Sequence, residues 1–341
     1  MKKIVLSALL LATTVAFAQE SKFSVSGSVD TYYSTNLSTG ALGTTGILSD
    51  VAANGFGLGM ANTVFAYESE KGGVVADLAF GPRAIAANMY NGAINQLYAY
   101  YNASENVTLT LGQFNTFYGY EVISPAANFN YSVSYLFNAG PFSHTGLKID
   151  IAASDDLSYM LAITNPMGLM QGSNIPNKVE DGEENTYVNA DNYQLGAQVG
   201  YKGQYLNAAY GADGFGETDV LYLDYTGGFD LSDSLFLGIN AAYSNSEDAG
   251  GEMGDGTGYL GAALYIEKEI SDNFSLGLRP EFFQTTGSFT GTNDENEDIK
   301  ESNETSVFAL TLAGSTQLSD NLKVITEVRY DSSDDRELIG G

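Results

Sequence analysis

Few residues in this chain could make or break bonds, and their spacing argues against catalysis. Among 341 residues there is no cysteine and one histidine, His144. A thiol nucleophile, a disulfide framework and a multi-histidine metal centre are therefore excluded. A hydrolase would need His144 to meet a serine and a carboxylate in space, and no nucleophile-elbow, phosphate-loop, dinucleotide or zinc-protease pattern accompanies it. Asp294-x-Asn296-x-Asp298 begins as a calcium loop does. Ile299 then takes the place of the turn glycine and Thr305 that of the bidentate glutamate, so the motif fails. No catalytic residue, cofactor or resident metal is expected.

The chain does offer charges two residues apart. Lys148/Asp150, Arg279/Glu281 and Glu327/Arg329 share this spacing, and Asp30, Asp77, Asp224, Glu267 and Lys323 fall on similar alternating segments. In a strand, residues i and i+2 lie on one face. Such pairs either neutralise one another along a wall or impose a field that sorts solutes by charge. A second acidic set sits in the connections, including Glu180, Asp181, Glu183, Glu184, Asp294, Glu295 and Glu297. It reads first as a solvated exterior and second as a site for divalent cations. The net charge of −28 removes nucleic acid as a partner, because phosphate contacts need a basic face.

The elements carrying these charges repeat one pattern. Val74, Ala76, Leu78 and Phe80 alternate with Val75, Asp77 and Ala79, and Leu322, Val324, Val328 and Tyr330 alternate with Lys323, Glu327 and Arg329. A period of two describes strands with one apolar and one polar or small face. Seven tight turns recur, at Lys71-Gly72-Gly73, Ser104-Glu105-Asn106, Ser154-Asp155-Asp156, Lys202-Gly203-Gln204, Ser232-Asp233-Ser234, Ser271-Asp272-Asn273 and Ser319-Asp320-Asn321. Their residues suit hairpins. Longer connections alternate with them, near 37–53, 83–92, 113–144, 166–190, 213–218, 245–257 and 284–304. Short turns on one side and long loops on the other mark an outer-membrane barrel. A soluble sandwich is disfavoured. The strands are near the ~9–11 residues that cross a bilayer, tyrosines cluster at strand ends (Tyr32, Tyr33, Tyr67, Tyr100, Tyr101, Tyr201, Tyr205, Tyr243, Tyr265, Tyr330), and the small polar face could not fill a core.

The expected fold is therefore all-β: an antiparallel transmembrane β-barrel of about 16 strands. Fifteen are readable, and the odd number predicts that one loop and a sixteenth, C-terminal strand are missing. Residues 1–18 precede the barrel as a signal peptide, with Lys2 and Lys3, an apolar run over 4–15, and Ala16-Phe17-Ala18 at the cleavage site. The barrel domain is then 19–341. A charge facing lipid would cost up to about 2–4 kcal/mol at mid-bilayer, so the charged faces should line a water-filled lumen.

The stretch 113–144 stands apart. It holds Phe114, Phe117, Tyr118, Tyr120, Phe129, Tyr131, Tyr135, Phe137 and Phe142, too many rings for a solvated loop, and a single charge, Glu121. Folded inward, it would narrow the lumen, with His144 tethering its base. Its motifs are Leu111-Gly112-Gln113-Phe114, Gly119-Tyr120-Glu121, residues 128–134 (Asn-Phe-Asn-Tyr-Ser-Val-Ser) and Gly140-Pro141-Phe142-Ser143-His144-Thr145-Gly146. These resemble the beta-barrel porin-2, OmpL-like family, best over about 70–170. The family often has a basic residue after Tyr-Ser, where Val133 stands here. The resemblance implies a bacterial outer-membrane pore without defined catalytic residues.

Together these readings predict a porin passing small hydrophilic solutes or ions by diffusion. Its constriction and wall are expected at Glu121, Tyr118, Tyr131, Lys148, Asp150, Asp77, Arg279, Glu281, Lys323, Glu327 and Arg329. Expected partners are outer-membrane lipids and the solutes, with a homo-oligomer, a trimer, by analogy. The competing expectation is a non-conducting surface barrel whose acidic loops bind cations, envelope components or a partner.

Overall fold

Alternation becomes a ladder of fifteen antiparallel strands in one sheet, each bonded to the next in chain order. The computed structural model describes residues 22–35, 37, 54–88, 93–166, 175–177, 186–188, 193–212, 219–246, 258–292, 298–302 and 304–333. The signal peptide and any strand beyond 333 fall outside them. The wall strands are β1 (Lys22–Thr35), β2 (Asn54–Ser69), β3 (Gly72–Phe80), β4 (Ile94–Ser104), β5 (Val107–Asn115), β6 (Ser143–Ala152), β7 (Leu157–Thr164), β10 (Gln194–Tyr201), β11 (Gln204–Ala212), β12 (Asp219–Ser232), β13 (Leu235–Ser246), β14 (Gly258–Ser271), β15 (Phe274–Thr286), β18 (Ser306–Ser319) and β19 (Leu322–Ser333). Two small ladders lie within the longer connections: β8 (Ile175–Asn177) with β9 (Thr186–Val188), and β16 (Ser288–Thr292) with β17 (Asp298–Ser302). Neither is visible as alternation in the sequence.

The two faces differ as the period requires. Leu161, Leu195, Leu206, Leu312, Val328 and Tyr330 are exposed outward, while Asp77, Asn207, Asp224, Asn240, Arg279 and Glu281 are buried inside. Water cannot satisfy backbone groups in hydrocarbon, so a sheet with this outer face spans a bilayer only by pairing every strand with its neighbours. Among the described residues no helix is long and apolar enough to span a membrane. The tyrosine girdle is smaller than expected. Tyr33, Tyr67, Tyr101, Tyr201, Tyr243 and Tyr330 face outward. Tyr32, Tyr100, Tyr205 and Tyr265 instead face inward, Tyr32 and Tyr265 against Tyr131 and Tyr120.

Connection 83–92 contains a short helix, α1 (Pro82–Asn88), that brings Arg83 inward. The inward loop proper spans 116–142, because β5 extends to Asn115 and β6 starts at Ser143. Gln113 and His144 are thus strand residues. A second short helix, α2 (Tyr135–Ala139), lies within that loop, its start capped by Ser134, whose hydroxyl accepts from the Phe137 N–H.

Candidate functional site: a loop pinned inside the barrel

Residues 116–142 form a loop with little regular structure and extensive burial, and this creates a specific problem. Buried N–H and C=O groups outside helices and ladders need partners. The wall supplies them, carboxylates for the N–H groups and basic side chains for the carbonyls. At the neck, the Thr116 N–H donates to the Phe142 carbonyl at 3.1 Å. Thr116 Oγ1 lies 3.0 Å from His144 Nε2, and the Phe117 ring stacks on His144 at 4.5 Å. Farther in, the Gly119 N–H donates to Asp224 (3.1 Å), the Leu136 N–H to Glu281 (2.9 Å) and the Tyr131 N–H to Glu327 (2.8 Å). The Tyr131 hydroxyl donates to Asp30 at 2.6 Å.

The carbonyls are met in the complementary way. Arg279 donates to the carbonyls of Ser132 (2.6 Å) and Val133 (3.1 Å), and Arg329 reaches Val133 at 2.7 Å. Arg83 donates to the Tyr131 carbonyl at 3.1 Å and Lys323 to that of Ala126 at 2.7 Å. Glu121 is held within the loop by the N–H (2.7 Å) and hydroxyl of Ser134, and it pairs with Arg279 at 2.5 Å. The contacts on β19 run from Lys323 to Asp331, where the Tyr135 hydroxyl donates. Eight positions of strand cover roughly 27 Å. The loop therefore runs down the wall instead of closing a ring at one level.

Wall glycines receive its side chains. A Cβ on Gly196 would enter the Phe117 ring and one on Gly238 the Tyr120 ring, while one on Gly261 would meet the Phe282 carbonyl of the wall and the Leu136 side chain. The small inner residues are sockets for the loop. Burial raises the pKa of Tyr118, Tyr120, Tyr131 and Tyr135 well above the usual phenol value, so all four stay protonated at neutral pH.

The residues expected to line a constriction divide into two groups. Glu121, Tyr118, Arg279 and Glu281 are buried between loop and wall, Lys323, Glu327 and Arg329 hold loop groups, and Tyr131 is one of the loop residues held. Lys148 and Asp150 form an ion pair at 3.0 Å with side chains 24% and 40% exposed, away from these anchors. Asp77 is buried and accepts from Asn95 (2.5 Å), Gln96 (3.3 Å) and Asn62 (3.3 Å). Of the three spaced pairs, Lys148/Asp150 forms. Arg279 pairs with Glu121 instead of Glu281, and Arg329 with Asp331 (2.8 Å) instead of Glu327. The inserted loop supplies a closer acid for Arg279 and occupies Glu281 and Glu327 with its own N–H groups.

Asn95 and Gln96 were not anticipated as partners. A register shift between β3 and β4 pairs Asp77 with Gln96 and Leu78 with Ile94. The extra residue, Asn95, then turns inward beside Gln96, and a strict period of two would have sent it to the other face.

An apolar outer band, a polar interior and a chain segment anchored inside that interior define an outer-membrane channel protein of the porin class. The chain belongs to the family described as "Putative beta-barrel porin-2, OmpL-like", whose sequence model matches residues 22–341. No curated protein matches it. Among solved structures, it resembles an anion-selective porin from Comamonas acidovorans, with 11% identity, 93% of this chain and 90% of that chain covered, and a TM-score of 0.60. It also resembles a loop L8 deletion mutant of OmpT, an outer membrane protein of Vibrio cholerae (10% identity, 92% and 94% covered, TM-score 0.54). A third is the outer membrane channel DcaP of Acinetobacter baumannii (12% identity, 94% and 100% covered, TM-score 0.50). At such identities the likeness concerns the fold alone.

Proposed function

We propose that the barrel passes small hydrophilic solutes by passive diffusion, through the part of the lumen that the loop leaves free. The loop's anchors lie on β12, β15, β19 and β1, with Arg83 of α1 beside them. One contrast carries the reading. Inside the same barrel, the Lys148 and Asp150 side chains keep 24% and 40% of their exposure, while those of Arg279 and Glu121 keep 0% and 2%. Tyr98, Tyr100, Asn102 and Thr108, on the adjoining inner faces of β4 and β5, are also partly exposed. A polar, partly exposed wall on one side and a packed loop on the other leave a path lined by polar side chains, which suits diffusion of hydrophilic solutes.

Planar-bilayer recording tests this. Purified protein should give discrete open-channel steps, and their absence would favour the non-conducting barrel. The chain has no cysteine, so single introduced thiols report accessibility cleanly. A thiol at Asp150→Cys should react with a water-soluble reagent and reduce conductance, whereas one at Ser134→Cys should be protected. Export through cleavage after Ala18 belongs to the same proposal, and the mass of the mature chain should correspond to a start at Gln19.

A further inference from the structure

We infer that the passage selects for cations, and that this preference originates in lumen carboxylates with no basic group at salt-bridge distance among the described residues. The inference rests on the diffusion reading above and adds the charge class of the solute.

The wall's acids and bases are satisfied differently. Asp77 is bonded by the amides of Asn62, Asn95 and Gln96. Asp224 is bonded by Asn207 (2.7 Å), Asn240 (2.6 Å) and the Gly119 N–H. Asp30 accepts from the Met60 N–H and the Tyr131 hydroxyl, and Glu327 from the N–H groups of Tyr131 and Ser132. Every one of these donors is neutral. A neutral donor stabilises an ionised carboxylate without cancelling its charge.

The basic side chains inside the barrel are mostly compensated. Arg279, Arg329 and Lys148 each lie within 3.0 Å of a carboxylate, those of Glu121, Asp331 and Asp150. Arg83 and Lys323 are directed to backbone carbonyls of the loop. Among the described residues, the three arginines that reach the interior are therefore occupied by the loop or an acid, and none of these is left to attract an anion. Among the described residues, the charges without an opposite partner at salt-bridge distance are predominantly negative.

Low-dielectric walls focus such a field into the water between them. Inorganic cations and amine-bearing solutes would be concentrated there, and carboxylate or phosphate solutes repelled. One structural relative is an anion-selective porin. The shared architecture then leaves the sign of selectivity to the side chains and their partners. The acidic outer connections would add to the same bias, but salt separates the two sources. At 1 M salt the screening length falls to about 3 Å, which suppresses exposed charges far more than buried ones.

The decisive measurement is the reversal potential of single channels under a potassium chloride gradient with both sides near molar concentration. The expected result is potassium over chloride by at least about threefold, retained at high salt. Asp30→Asn and Asp77→Asn should each lower the ratio. Lys148→Gln should raise it and Asp150→Asn lower it, two opposite shifts that a general loosening of the fold would not produce. Heat-modifiable gel mobility verifies that each variant is folded. Chloride preference, a ratio that collapses to unity at molar salt, or ratios unchanged in Asp30→Asn and Asp77→Asn would overturn the inference while leaving a working pore. Absence of channel steps would overturn the diffusion reading, and this inference with it.

Discussion

Among the described residues, Glu121 and Arg279 form the most deeply buried ion pair. Their side chains are 2% and 0% exposed. Removing one member of a buried pair leaves the other charged and unpaired, at about 3–5 kcal/mol. Glu121→Gln should therefore lower the urea or thermal midpoint substantially, and Glu121→Gln combined with Arg279→Met should recover much of the loss. An unchanged midpoint in the single variant would show that the pair is hydrated. The sequence marked Glu121 as the lone charge among the loop's rings, but it could not identify the partner. Arg279 lies 158 positions away and has Glu281 at the spacing that normally suggests an ion pair. Only the inserted backbone, with the Leu136 N–H needing an acceptor, removes Glu281 from that competition.

Between loop and wall, complementarity rests on sockets. Gly238→Ala places a methyl group where the Tyr120 ring sits, and overpacking of this kind costs typically about 1–3 kcal/mol. Because the loop is the movable side of the contact, the variant should also alter channel conductance, and a wild-type conductance would count against a loop seated at Gly238. The loop phenols supply a pH test. Their folded values are raised, so their contribution to docking is fully present below the ordinary phenol value near 10 and is lost as pH rises through the folded values. Tyrosinate absorbance should show a late-titrating class that disappears in denaturant. A single class near the ordinary value would mean that the loop is hydrated. The strands themselves were legible from period-two alternation and seven tight turns. The inward turn of Asn95 was not, because it depends on a one-residue register shift. Tyr265 shares the inner face with Glu267 by that same alternation, so its place in the girdle followed from residue type and not from parity.

For the whole molecule, the outward band fixes the environment. Leu161 is 55% exposed on the lipid-facing side, so Leu161→Arg should cost about 2–4 kcal/mol near mid-bilayer. Folding titrations into lipid vesicles would read that loss, and a neutral result would place the position outside the hydrocarbon. One contact has a consequence for the time course of assembly. Tyr131 is bonded both to Asp30 on β1 and to Glu327 on β19, the first and last strands of the sheet. The second bond closes 196 positions of chain. Contacts between distant positions form late, because the loop-closure entropy is lost before they can compensate it. Residues 116–142 emerge early from the ribosome, yet their contacts with Lys323, Glu327, Arg329 and Asp331 can form only after β19 is in place. Protection of that segment from added protease should thus trail strand formation, which would make it a clock for the final stage of barrel maturation.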